Sequence, residues 1–117
     1  MAQKLSPKQQ AQLGWLETLP PRFDRLTRAI EMLESLQADD TTLRATQRML
    51  DEMKAQAATL GLAALGDTFG YMATLLRRGG GNQLKVRGLR ELMAGARINY
   101  EGALRKAKTP ESEPTSP

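Results

Sequence analysis

The chain of 117 residues contains neither cysteine nor histidine. The lack of cysteine excludes a disulfide, a thiol nucleophile and a thiolate ligand for a metal. The lack of histidine removes the usual general base of enzymes and the commonest ligand of transition metals. Carboxylates remain, but adjacent acids on a helix point apart. We therefore expect no enzyme, no catalytic residue, no metal site and no cofactor.

Aromatic residues are scarce, and long apolar runs are missing. Phe, Trp and Tyr make up 4% of the chain. No apolar run approaches the roughly 20 residues that a membrane-spanning helix needs. The N-terminal segment, MAQKLSPKQQ, lacks the apolar core of a secretory signal. These absences predict a cytoplasmic protein without a membrane partner.

The sequence does have helical patterning. Leu, Ala and Met dominate its apolar residues, which favours helices over strands. Their spacing predicts five helices, over residues 7–18, 22–37, 41–61, 63–78 and 83–107, and Ser6 is expected to cap the first of them. Short connections and the lack of a strand pattern predict an all-α fold, an antiparallel helical bundle. We expect one domain over residues 1–107 and a disordered, proline-rich tail over residues 108–117.

Capping and breaking residues predict the ends of these helices. We expect Pro20 and Pro21 to end the first helix, because proline cannot continue a helix interior. Asp40 or Thr41 is expected to cap the third helix, and Asn82 the fifth. A glycine run separates the fourth helix from the fifth and is predicted to be a turn.

The apolar stripes of the second to fifth helices define a predicted core. The stripe of the second helix ends at Leu36, and that of the fifth begins at Leu84. Gly88, Gly95 and Gly102 also recur every seven residues along the fifth helix. Because a helical glycine costs roughly 1 kcal/mol relative to alanine, the repeat indicates either close packing against another helix or chance spacing.

The third helix has two different faces. Its apolar face consists of Leu43, Leu50, Met53, Ala57 and Leu60. The other face combines a carboxylate, basic residues and small residues, and we call it the docking face. The docking face is formed by Arg44, Gln47, Arg48, Asp51, Lys54, Ala55 and Ala58. At about 100° per residue, Asp51 points roughly 130° away from the middle of the apolar stripe. Small residues there leave the carboxylate open to a protein partner, so we predict that this face binds one.

The segment DEMKAQAATLGLAALG, residues 51–66, resembles the signature of histidine-phosphotransfer domains. In that family a helix carries His-x-x-Lys-Gly, then small residues and a Leu-Gly pair. Lys54 matches the lysine, and Ala55 stands where the glycine would be. The later residues that match are Ala57, Ala58, Leu60 and Gly61. Asp51 replaces the histidine that accepts the phosphoryl group.

The resemblance implies a four-helix bundle with an additional short N-terminal helix. It also implies a bacterial two-component or phosphorelay pathway, with a response-regulator receiver domain or a histidine kinase as the partner. A carboxylate at position 51 does not accept and pass on a phosphoryl group as an imidazole does. The expected function is therefore a pseudo-phosphotransfer module, which docks its partner without carrying phosphate.

The charge distribution leaves other partners open. Residues 61–108 hold nine basic and three acidic side chains, whereas residues 1–60 hold eight of each. One alternative is a helical adaptor for a non-signalling protein through the basic fourth and fifth helices, with Arg77, Arg78, Arg87 and Arg90. Nucleic-acid binding through the same residues is less favoured, because the chain lacks an aromatic stacking set and a recognition motif. Nothing in the sequence points to a particular oligomeric state.

Overall fold

A computed structural model describes residues 4–78 and 80–110 of the chain. Within these residues the protein is all-helical, without a strand, which confirms the all-α part of the prediction. The helices are α1 (Pro7–Leu16), α2 (Leu19–Glu34), α3 (Asp40–Thr59), α4 (Ala63–Arg77) and α5 (Asn82–Lys108). The molecule is elongated, with extents of 58, 23 and 19 Å. None of the described helices is both long and apolar enough to cross a membrane.

The predicted end of the first helix is wrong. The helix α1 ends at Leu16, and Pro20 and Pro21 lie in the first turn of α2 rather than after α1. Proline is tolerated there because the N–H groups of a first turn have no acceptor within the helix. The start of α1 is as expected, since Ser6 caps it.

Two predicted caps also differ in the structure. Asp39 rather than Asp40 or Thr41 caps α3, and its Oδ1 accepts a hydrogen bond of 2.7 Å from the Thr42 N–H. This bond stabilises the ionised carboxylate and lowers the pKa of Asp39 below its ordinary value of 3.8. Asn82 is the first residue of α5, and the cap position belongs to Gly81.

The core lies between α2, α3, α4 and α5. Its largest fully buried side chains include Phe69, Leu26, Leu50, Met53, Leu65, Met72 and Leu89. The edge of Tyr100 packs on the Phe23 ring, with the ring centroids 5.3 Å apart. Burial raises the pKa of the Tyr100 hydroxyl above its ordinary value of 10.0. Each of the helices α2 to α5 thus buries an apolar stripe, as its spacing predicts.

Two leucines predicted in the core are exposed. Leu36 is 76% exposed because α2 ends at Glu34, and Leu36 itself adopts a left-handed φ of 60°. Leu84 is 74% exposed. It precedes the buried Val86 by two residues, which is about 200° around a helix, so it points away from the core.

Small residues bring α3 and α4 close together. A Cβ added to Gly66 would lie 3.4 Å from the Ala57 Cβ and 3.4 Å from the Lys54 carbonyl oxygen. The seven-residue glycine repeat of α5 is different. A Cβ on Gly88 would lie only 2.6 Å from Leu75 Cδ2, whereas Gly95 and Gly102 have no such neighbour within 4 Å. The close packing suggested by the repeat is therefore found only at Gly88.

The end of α5 is attached to α1. Gln9 is buried, and its Nε2 donates to the carbonyl oxygen of Thr109 at 2.5 Å. Lys108 is the last residue of α5, so the predicted tail begins too early in the sequence. The rest of that tail, residues 111–117, lies outside the described residues.

Candidate docking site

The docking face lies on the solvent side of α3. Six of its residues are exposed, and Gln47 is half-buried. The exposed residues are Arg44, Arg48, Asp51, Lys54, Ala55 and Ala58. On the opposite side of α3, Leu50, Met53 and Ala57 are fully buried. The burial pattern follows from helical geometry, because the two sets of residues lie on opposite sides of the helix.

Arg77 of α4 adds a cation to the docking face. Its guanidinium forms an ion pair with the Asp51 carboxylate. Both side chains remain accessible, with 47% of Asp51 and 51% of Arg77 exposed. The sequence groups Arg77 with the basic residues of α4 and α5, whereas the structure places its guanidinium beside Asp51 on the docking face.

The position of Arg77 follows from how α4 folds back along α3. Only residues 60–62 separate the two helices. Gly66 lies against Ala57 of α3, Gly70 lies against Lys54, and Arg77 pairs with Asp51. Residue numbers therefore increase along α4 while the numbers of the contacted residues decrease along α3. Helical side chains lean toward their own N-terminus, which brings a long arginine back toward an earlier level of α4. This lean and the short connection are the sequence signals that could have identified Arg77.

The glycine at position 70 determines where Lys54 lies. The Cδ, Cε and Nζ atoms of Lys54 are within 3.1 to 3.2 Å of the place that a Cβ on Gly70 would occupy. The lysine stem therefore lies along α4, where a larger residue at position 70 would displace it. Lys54 and Arg77 border the Asp51 carboxylate on the α4 side of the docking face.

Ala55 and Ala58 form the flat part of the docking face. Both are exposed, and the neighbouring Thr59 turns its hydroxyl back to donate to the Ala55 carbonyl oxygen at 3.0 Å. Because no long side chain rises from these two alanines, a partner can approach the backbone of α3 closely. Over its whole length the docking face carries four cations, on Arg44, Arg48, Lys54 and Arg77, and one carboxylate, on Asp51.

The other basic surface suggested by the sequence is partly neutralised. Arg90 of α5 forms an ion pair of 3.0 Å with Glu34, and Arg77 is paired with Asp51. Arg78 and Arg87 are exposed. Two of the four arginines of that surface thus already have carboxylate partners. In the described part of the chain, no group of three or more His, Cys, Asp or Glu residues is close enough to hold a metal ion.

Comparisons with known proteins gave no relative. No protein-family model matches the chain, and no curated protein or solved structure matches it.

Proposed function

We propose that this protein is a pseudo-phosphotransfer module, which binds a receiver domain or a histidine kinase of a bacterial two-component or phosphorelay pathway. It does so through the docking face and carries no phosphate itself. The observation that carries this proposal is the exposed Asp51 in the middle of α3, with Lys54 one turn on and two open alanines beyond it. This is the arrangement that the phosphotransfer signature has around its histidine.

The proposed fold is an antiparallel bundle of α2 to α5, with α1 as the additional N-terminal helix. The contacts between helices support it. The helix α5 packs against α1, α2 and α4, and α3 packs against α2 and α4. The four longer helices therefore form a closed ring around one core, which is the arrangement of a four-helix bundle.

The charges of the docking face suit a receiver domain. The phosphorylation pocket of receivers is acidic, and the docking face offers four cations against one carboxylate. Complementary charges of this kind increase the rate of encounter and orient the partners. Asp51 supplies a permanent negative charge where a phosphohistidine would carry one, and Arg77 partly offsets it. This supports docking rather than transfer.

Calorimetric titration with receiver domains from the same organism tests the docking. Ala55→Trp places a large side chain on the flat part of the docking face, and we expect it to weaken binding at least about tenfold. Ala94→Trp is the matched control, because Ala94 is also an exposed helical alanine but lies on α5. Full affinity of Ala55→Trp, or equal loss in both variants, would contradict the assigned face.

A phosphotransfer assay tests the absence of phosphate. The protein is incubated with a phosphorylated receiver and, separately, with a histidine kinase and radiolabelled ATP. We expect no label on the protein in either reaction, since the chain has no histidine to accept it. Stable labelling that disappears in Asp51→Asn would show that the module does carry phosphate.

A further inference from the structure

A second surface lies on the other side of α3 from α4. It is an open groove of about 550 Å³ between α2 and α3. These two helices pack less closely than α3 and α4 do. The difference follows from the side chains, since glycines allow α4 to approach α3, whereas methionines and arginines line the gap between α2 and α3.

Arginines form both edges of the groove. Arg22, Arg25 and Arg28 follow one another at three-residue spacing on α2, and Arg48 faces them from α3. Glu52 is the single acid among the lining residues. Arg22 donates to Gln56 Oε1 at 3.0 Å, whereas the other three arginines form no ion pair within residues 4–78 and 80–110. The α2 edge therefore carries positive charge that no ion pair in the described part of the chain offsets, whereas Arg48 and Glu52 leave the α3 edge without net charge.

The floor of the groove is apolar. It includes Ala29 and Met32 from α2 and Ala45 and Met49 from α3. Both methionines are only half-buried, and Met49 packs against the core. Thioether side chains adapt to different apolar partners and are common at protein-binding surfaces. An apolar floor beside a positive edge is complementary to a helix with one apolar and one acidic face.

We infer that this groove binds an acidic amphipathic helix of a protein partner. Arg22 and Arg28 are six residues apart, so the basic edge is about 9 Å long and matches roughly two turns of a bound helix. The apolar residues of that helix would contact Met32 and Met49, and its carboxylates would pair with the arginines.

Other occupants match the groove less well. Single-stranded nucleic acid binds through aromatic side chains that stack on its bases, and the groove lining contains no aromatic residue. An anionic membrane surface would reach the arginines without contacting the concave methionine floor. The combination of an apolar floor and a basic edge therefore favours a helix that carries both apolar and acidic residues.

The groove is a separate site from the docking face. Ala45 lies in the groove and Ala55 on the docking face, and only Arg48 belongs to both. A protein partner could thus occupy the groove while a receiver occupies the docking face. The inference does not depend on the proposed function, and each of the two surfaces can fail its own test.

A designed peptide tests the inference by fluorescence anisotropy. The peptide has about 14 residues, with leucines at helical i, i+3, i+4 and i+7 spacing and glutamates elsewhere. Its counterpart has glutamine in place of every glutamate. We expect the acidic peptide to bind at least about tenfold more tightly than the neutral one, and to bind more weakly as salt is raised.

Variants on the full chain locate the binding. Ala45→Trp fills the groove, and the double variant Arg25→Glu/Arg28→Glu reverses the charge of one edge. Each should weaken binding of the acidic peptide at least about tenfold. The matched controls are Ala94→Trp and Arg87→Glu/Arg105→Glu on α5, where the altered residues are also exposed. Circular dichroism melting curves check that every variant is folded.

Several results would overturn the inference. They are undetectable binding of the acidic peptide, equal binding of the neutral peptide, and wild-type affinity in the folded groove variants. The same holds if the α5 controls lose as much affinity as the groove variants. Finally, single-stranded oligonucleotides and anionic vesicles are titrated in parallel. Binding of either one that depends on the groove, without binding of the peptide, would assign the groove to that ligand instead.

Discussion

Asp51 and Arg77 are the two residues on which the chemistry of the docking face depends. Their ion pair is on the surface, with about half of each side chain exposed. Exposed pairs contribute little to stability, because water screens the charges and two long side chains must be ordered. Arg77 can therefore leave Asp51 at little cost, as the proposed docking to an acidic partner requires.

A double-mutant cycle with Asp51→Asn and Arg77→Gln measures the free-energy cost of separating this ion pair. We expect a coupling energy of about 0.2–1 kcal/mol, which decreases as salt is added. The Glu34–Arg90 pair is the matched control, since its side chains are similarly exposed, and a cycle there should give a value in the same range. A coupling above about 2 kcal/mol at Asp51 would mean that the pair is a fixed part of the fold.

The exposure of the docking face could be predicted from helical periodicity, but its complete set of charges could not. Helical periodicity alone places Asp51 and Ala55 opposite Leu50 and Met53, and the structure agrees. Arg77 is on another helix, so its place beside Asp51 depends on how α4 packs against α3. No periodicity within a single helix contains that information.

At the scale of the helices, the apolar spacing predicts each buried stripe but not where the helix ends. The spacing at Leu36 continues the stripe of α2, yet α2 ends at Glu34. Pro20 and Pro21 suggest the end of a helix and in fact begin one. Both errors concern the ends of α2. The first and last turns of a helix lack some intrahelical hydrogen bonds, so a proline or an apolar residue near a helix end does not determine where the helix begins or ends.

The glycines of α5 give a prediction at the scale of this helix. Gly95→Ala should stabilise the protein by up to about 1 kcal/mol, because alanine favours the helix and its Cβ meets no neighbour within 4 Å. Gly88→Ala should stabilise the protein less than Gly95→Ala does, or destabilise it. The added Cβ would lie 2.6 Å from Leu75 Cδ2, so the Leu75 side chain would have to move. Urea denaturation measures both variants, and an equal gain at Gly88 and Gly95 would contradict this account.

At the scale of the whole molecule, Gln9 joins the first helix to the last. Gln9 is 3% exposed, and its Nε2 donates to the carbonyl oxygens of Lys106 and Thr109 at 3.3 and 2.5 Å. Its Oε1 accepts a hydrogen bond of 3.0 Å from the Ser6 N–H. The last carbonyl groups of a helix have no partner within that helix. The side chain of Gln9 therefore caps the end of α5 and holds α1 against it.

Replacing Gln9 by alanine tests this attachment. The change removes the side-chain donor to the Thr109 carbonyl oxygen, whereas the Lys106 carbonyl oxygen keeps the Thr109 N–H as a donor. We therefore expect Gln9→Ala to lower the free energy of unfolding by about 1 kcal/mol. Amide hydrogen exchange should become faster in α1 and in the last turn of α5, while α3 and α4 keep their protection. Gln10→Ala is the control, because the exposed Gln10 bonds only locally, to the Leu5 carbonyl oxygen at 3.0 Å. Unchanged protection of α1 in Gln9→Ala would show that apolar packing, not this side chain, holds the two ends of the chain together.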